Sequence, residues 1–327
     1  MYREKIRIHE YKKLLNKHPN ESTCPFEEYA FIHFHSTTDM YRVKDSLNNY
    51  RGKVLLTSHT PKPSHLEVYE DNITEKERKK YGKYYKKLNV IDEYAFNRAD
   101  YIIFPCEEAE EPYFNRWKEY KNIKNNNKNK YRYVLTGIEK CKKNKDRTEI
   151  REKYNIPENA FVISYVGRHN EVKGYDLLKE IGEEILKNDN IYILVAGNEG
   201  PLYAYKNEKW IEVGWTNDPY SIIASSDLFI LPNKETYFDL VLLEVLSLGV
   251  PVLMTYTGGN KYFNNFKSNG IVYFNNKDEA ITMIKKFLCM DKDEIKKIGK
   301  ENENLYEENF TCEIFAKNYI DLINSLN

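Results

Sequence analysis

An α/β protein of two doubly wound domains is what this sequence predicts, and three observations carry the prediction. From residue 161 onward, short apolar runs alternate with longer helical stretches. A less regular version of the same alternation fills the first half. The length of 327 residues exceeds one ordinary domain and fits two, so a cleft between domains is the expected place for a ligand.

In the first half, YAFIHFHS (29–36), KVLLTSHT (53–60), ADYIIFPC (99–106) and YRYVLTG (131–137) each read as a strand running into a polar loop. The segments between them are long enough for crossover helices. KNIKNNNKNK (121–130) is polar and of low complexity, and reads as a solvated surface loop. A linker is expected around Glu139–Arg147, which bounds a first domain at 1–143.

In the second half the order is FVISYVG, YDLLKEIGEEILK, IYILVAG, DPYSIIASS, LFILPN, a helix carrying Glu244, and VPVLMTY. Strands that are apolar throughout, instead of alternating, are what a parallel sheet covered on both faces demands. Gly249 followed by Pro251 predicts a sharp end to the Glu244 helix. The second domain is expected at 144–305. After it, CEIFAKNYIDLINSL places Ile314, Phe315, Tyr319, Ile320 and Ile323 at helical spacing within 306–327.

Composition narrows the function. Fifty basic residues balance fifty acidic ones, which argues against a nucleic-acid binder. No run approaches the roughly 20 apolar residues that span a bilayer, and MYREKIRIHEYKK lacks the apolar core of a signal peptide, so a soluble, cytoplasmic protein is expected. Five scattered cysteines (Cys24, Cys106, Cys141, Cys289, Cys312) have no metal-ligand or disulfide spacing and read as free thiols.

Two segments carry the chemistry. VGRHNEVKG (166–174) leaves a buried strand with two cations, Arg168 and Lys173, at the edge where open α/β sheets bind ligands. Arg grips phosphate oxygens bidentately and Lys adds a point charge. ETYFDLVLLE (235–244) sets one carboxylate, Glu244, in an apolar helix, where it is costly unless hydrogen-bonded. Ribose hydroxyls are suitable donors; a buried Arg or backbone partner is the structural alternative. Thr236–Asp239 has the spacing of a capping box, and the N–H groups of Phe238, Asp239 and Leu240 are phosphate candidates at the helix tip.

These segments, with IYILVAGNEG (191–200), DLFILPN (227–233) and ETYFDLVLLEVLSLGVPV (235–252), resemble the donor-binding half of GT-B glycosyltransferases, specifically retaining family 4. The resemblance implies two Rossmann-like domains facing a cleft, and transfer of a hexose-type sugar from a nucleotide-diphosphate sugar. The acceptor implied is a hydroxyl of a glycan, lipid-linked or glycoconjugate molecule, in polysaccharide or glycoconjugate assembly. The nucleotide-sugar is a co-substrate, and no cofactor or metal is expected. It also implies diphosphate on Arg168 and Lys173, ribose on Glu244, base near 198–201 and 214–217, and a final helix returning to the first domain.

His59, at the end of KVLLTSHT, is either a loop histidine without a role or, as the resemblance implies, one that orients the transferred sugar, and His35 could line the same edge. Gly258, Gly259 and Asn260 offer backbone donors beside the site, or form a plain turn. The chain also departs from the family. The usual first Glu, eight positions before Glu244, is Thr236, with Glu235 one step early, and the usual Gly is Asp239. No strand with a glycine-rich loop precedes Tyr29, so the first domain is either trimmed or opens with a helix in 1–20. KERKKYGKYYKK (76–87) reads as a solvated helix face, or as a peripheral contact with anionic lipid. A non-catalytic GT-B subunit binding a glycan or partner transferase is the alternative function.

Overall fold

The computed structural model describes residues 2–16 and 25–326. The chain divides into two compact units, Met1–Tyr133 and Val134–Asn327. The division thus follows Tyr133 instead of residue 143, and the last helix, Cys312–Ser325, groups with the second unit.

The first unit is a four-stranded parallel sheet in the order β1 (Phe31–Phe34), β2 (Lys53–Thr57), β3 (Tyr101–Phe104), β4 (Tyr131–Tyr133). Val54, Leu55 and Leu56 are wholly buried, as consecutive residues are only when both faces of a sheet are covered. Phe34 pairs with Leu56, so the residues that follow, His35 and His59, leave the same carboxyl edge. A helix, Tyr2–Asn16, precedes the first strand; residues 17–20 and Cys24 lie outside the described part.

The segment 121–130 is not the solvated loop its composition suggests. It forms a helix, Tyr120–Asn126, and a turn of 3-10 helix, Lys128–Lys130. Tyr120, Ile123 and Asn127, spaced three and four apart, are buried. The Tyr120 hydroxyl donates to Glu110 at 2.6 Å and Lys124 reaches the same carboxylate at 2.7 Å. Three anchors at helical spacing outweigh the polar remainder.

The second unit is a six-stranded parallel sheet in the order β10-β9-β8-β5-β6-β7. Its inner strands, β5 (Phe161–Val166), β6 (Ile191–Ala196), β8 (Leu228–Leu231) and β9 (Val252–Thr255), are the apolar runs read from the sequence. Its edges, β7 (Trp210–Gly214) and β10 (Ile271–Phe274), are mostly half-buried; β7 is interrupted by Glu212, whereas β10 is a short apolar run, IVYF.

Helix Leu240–Ser247 buries Leu242, Leu243, Val245 and Leu246 completely, roughly 2 kcal/mol apiece. It ends as predicted: Gly249 takes φ +66°, its N–H donates to Leu246 O, and the Val250 N–H donates to Val245 O. Among the described residues no helix is long and apolar enough to cross a membrane. Cys106, Cys141, Cys289 and Cys312 are free thiols.

Candidate functional site

At the carboxyl edge of the second sheet, three loops lock together through glycines. The loop after β5 carries Arg168 and Lys173 and ends at Gly174, φ +66°. A Cβ there would lie 1.7 Å from the Pro232 carbonyl oxygen, so only glycine lets this loop meet the one after β8. The Lys234 N–H donates to Val172 O at 2.9 Å, closing the same contact. From the other side, a Cβ on Gly259 would lie 2.1 Å from the Tyr237 carbonyl oxygen. The 258–260 segment is therefore seated on residues 236–238 and is more than a free turn.

The sequence motifs converge in this assembly. The Lys173 ammonium lies 2.9 and 3.1 Å from the two carboxylate oxygens of Asp239. The Asn233 amide also donates to that carboxylate, as does the Thr236 hydroxyl at 3.2 Å. The capping box expected at Thr236–Asp239 does not form. The helix starts at Leu240, with Asp239 as an N-cap whose side chain makes no capping bond. Four donor contacts outcompete the local N–H groups for the carboxylate. Thr236, Tyr237, Phe238 and Asp239 are buried ahead of the helix, Glu235 is half-buried, and Leu240 is exposed. Arg168 is exposed, and its carbonyl accepts from the Tyr165 hydroxyl at 2.9 Å. The charges of Asp239 and, in the opposite sense, Arg168 both act on Tyr165.

Glu244 sits one turn into the helix, half-buried, and accepts from the Tyr220 hydroxyl at 3.4 Å. Burial raises its pKa above the usual carboxylate range; the Tyr220 hydroxyl lowers it and the charge on Asp239 raises it further. A carboxylate with one long hydrogen bond retains acceptor capacity for hydroxyls. Tyr220 was missed from sequence. It lies in helix Pro219–Ala224, whose order of residues gives no sign that one faces Glu244.

Asn233 and Asn260 are fully buried, and both side-chain polar atoms of Asn260 and Oδ1 of Asn233 have no protein partner. Buried amides are normally paired. Asn233 was also missed, although its place directly after the apolar run LFILP was a usable signal. Behind Arg168, His169 is wholly buried, stacked on Tyr175 at 3.9 Å and 3.6 Å from Glu212. Burial lowers its pKa, against the opposing charges of Glu212 and Glu199. Of the segments expected near a base, 214–217 presents Trp215, 67% exposed, directly after β7.

In the first unit the carboxyl edge carries imidazoles. His35 Nδ1 and His59 Nε2 share a hydrogen bond of 2.7 Å with rings stacked at 5.0 Å, and His33 Nε2 lies 2.7 Å from the Thr57 hydroxyl. Burial, then the neighbouring His35 and His59, push the His33 pKa down to about 4. His59 is exposed over part of its surface, yet atoms around its ring desolvate it enough to lower its pKa, and His35 adds to this. His65 is structural: it is buried against Asp92 at 2.7 Å. The run 76–87 spans helix Glu75–Tyr85, opened by a Thr74/Glu77 capping box, with Lys76, Lys79, Lys80, Lys83, Lys86 and Lys87 exposed. Among the described residues no group of three His, Cys, Asp or Glu side chains is arranged to hold a metal ion.

Residues 146–305 match the family described as glycosyl transferases group 1. Over those residues the chain is similar to the group 1 glycosyltransferases. Its fold is GT-B. HepE from Anabaena, in complex with UDP, superposes with a TM-score of 0.69 at 13% identity, covering 91% of this chain and 79% of that one. WaaG, a glycosyltransferase involved in lipopolysaccharide biosynthesis, superposes with a TM-score of 0.56 at 14% identity, over 96% and 94%. A glycogen synthase of Clostridium botulinum is 28% identical over 181 residues, and the O-antigen biosynthesis glycosyltransferase WclY of Escherichia coli 24% over 203 residues. These stretches are 50% and 59% of this chain but only 37% and 55% of the relatives.

Proposed function

We propose that the protein transfers a hexose-type sugar from a nucleotide-diphosphate sugar to an acceptor hydroxyl, with retention and without a metal. One observation carries this reading. The loop that carries Arg168 and Lys173 is locked against the segment that leads into the Glu244 helix, which supports a diphosphate locus beside the helix tip. UDP in the HepE complex supports a nucleotide donor.

In this reading Arg168, Lys173 and the N–H groups of Phe238, Asp239 and Leu240 receive the diphosphate. Glu244 and Tyr220 receive the ribose hydroxyls, Trp215 lies on the base side, and Glu235 or Thr236 faces the sugar with Gly259 and Asn260. The bond from the anomeric carbon to the phosphate oxygen breaks, and the cations stabilise the leaving diphosphate. The acceptor oxygen attacks from the same face, and its proton passes to a diphosphate oxygen. His59, with its ring held by His35, is proposed to orient the transferred sugar. The acceptor is a glycan, lipid-linked or glycoconjugate hydroxyl. A cytoplasmic protein touching an anionic membrane surface through 76–87 belongs to the same reading, supported by the exposed lysines there.

Thermal stabilisation by UDP-, GDP-, ADP- and CMP-sugars tests the donor. A shift with one of them, lost in Arg168→Ala and Glu244→Ala, is expected. No shift with any donor overturns the enzyme reading in favour of a non-catalytic glycan- or transferase-binding subunit. That second reading is favoured by a carboxylate already seated on Lys173.

A further inference from the structure

Resting on the donor reading, we infer that Asp239 is an internal competitor for the phosphate locus and sets donor affinity. Its carboxylate is 9% exposed and both its oxygens accept from the Lys173 ammonium, at 2.9 and 3.1 Å. The Asn233 amide and the Thr236 hydroxyl donate to it as well. It also sits at the N-cap of an apolar helix, where the dipole favours negative charge. Ammonium, amide, hydroxyl and helix tip are the donor set that a phosphate oxygen requires, and here a side chain of the same chain already holds it.

Two consequences follow from charge and space. A diphosphate reaching Lys173 meets a carboxylate at hydrogen-bonding distance from the same nitrogen, so the two anions cannot share it without repulsion. Donor binding therefore requires the Asp239 side chain to leave its partners. The observed affinity is the intrinsic affinity scaled by the fraction of molecules in which it has left. Backbone strain does not hold Asp239 in place, since its φ of −80° and ψ of 113° are ordinary. Asn or Gly can replace it without distorting the loop. The neighbouring polar groups fit an occupied and an emptied locus alike, because Asn233 retains an unpartnered Oδ1 and Asn260 an unpartnered amide.

Calorimetric titration of the full chain with inorganic pyrophosphate, and with UDP, GDP and ADP, tests this in the wild type, Asp239→Asn and Asp239→Gly. Circular dichroism confirms the fold of each. Both variants are expected to bind pyrophosphate and the preferred nucleotide about tenfold more tightly, and Lys173→Met in the Asp239→Asn background to abolish the gain. Unchanged or weaker binding in both folded variants overturns the inference and makes Asp239 a positioning residue for Lys173; the donor reading survives if the wild type binds a nucleotide. A gain for pyrophosphate without binding of any nucleotide keeps Asp239 as a competitor for a phosphate locus but overturns its role in donor affinity together with the donor reading. No anion bound by any form overturns both.

Discussion

At the carboxyl edge of the first sheet the polar side chains are imidazoles bonded to one another and to a threonine, while the same edge of the second sheet carries a lysine, an arginine and two carboxylates. Both edges arise from parallel strands buried on two faces, so the architecture is common and the chemistry is not. Burial, and then the neighbouring rings, lower the pKa values of His33 and His59 and favour their neutral forms. The second edge fixes charge instead, using glycines to bring opposite signs together. One edge suits orientation of a neutral polar ligand, the other the grip on an anion.

The comparison breaks first if the second edge does not bind an anion. Lys173→Ala is expected to lower kcat/KM for transfer by roughly a hundredfold or more, and Arg168→Ala by a similar factor, in a radiolabelled-donor assay. Glu244→Ala should raise the donor KM by about tenfold to a hundredfold by removing the ribose acceptor. His59→Ala should cost about tenfold in kcat, and His35→Ala somewhat less; an equal loss in KM alone would make the imidazoles mere binding groups.

Two smaller effects sharpen the contrast. The folded pKa of His33 lies near 4, below its unfolded value of 6.5, so its contribution is present above 6.5 and lost as pH falls towards 4. Thermal stability should therefore fall as pH drops across that window, by on the order of 1 to 2 kcal/mol after screening, and His33→Gln should flatten the dependence. Glu244 has the opposite sign. Its raised pKa makes the ionised form a cost that grows as pH rises from the unfolded value through the folded one, so Glu244→Gln should raise the melting temperature at neutral pH while weakening donor binding.

Legibility in the sequence followed burial. The inner strands β5, β6, β8 and β9 are almost wholly apolar and were readable as such; β7, interrupted by Glu212, was not, and the short apolar run of β10 was passed over. Helix Tyr120–Asn126 was hidden because its buried anchors are few among asparagines and lysines. At the site, Arg168, Lys173 and Glu244 announced themselves by spacing, and the structure brings their segments together. The Tyr220 contact with Glu244 and the capture of Asp239 by Lys173 join segments far apart in sequence that no local pattern encodes, whereas Asn233, six residues before Asp239, was locally legible.

Because Gly174 admits the Pro232 carbonyl where any side chain would stand, the loops after β5 and β8 are parts of a single module. Grafting one of them from another member without its counterpart should yield a chimera whose halves no longer mesh. Exchange of substrate preference by recombination in this scaffold therefore calls for moving residues 166–176 and 231–240 as a pair.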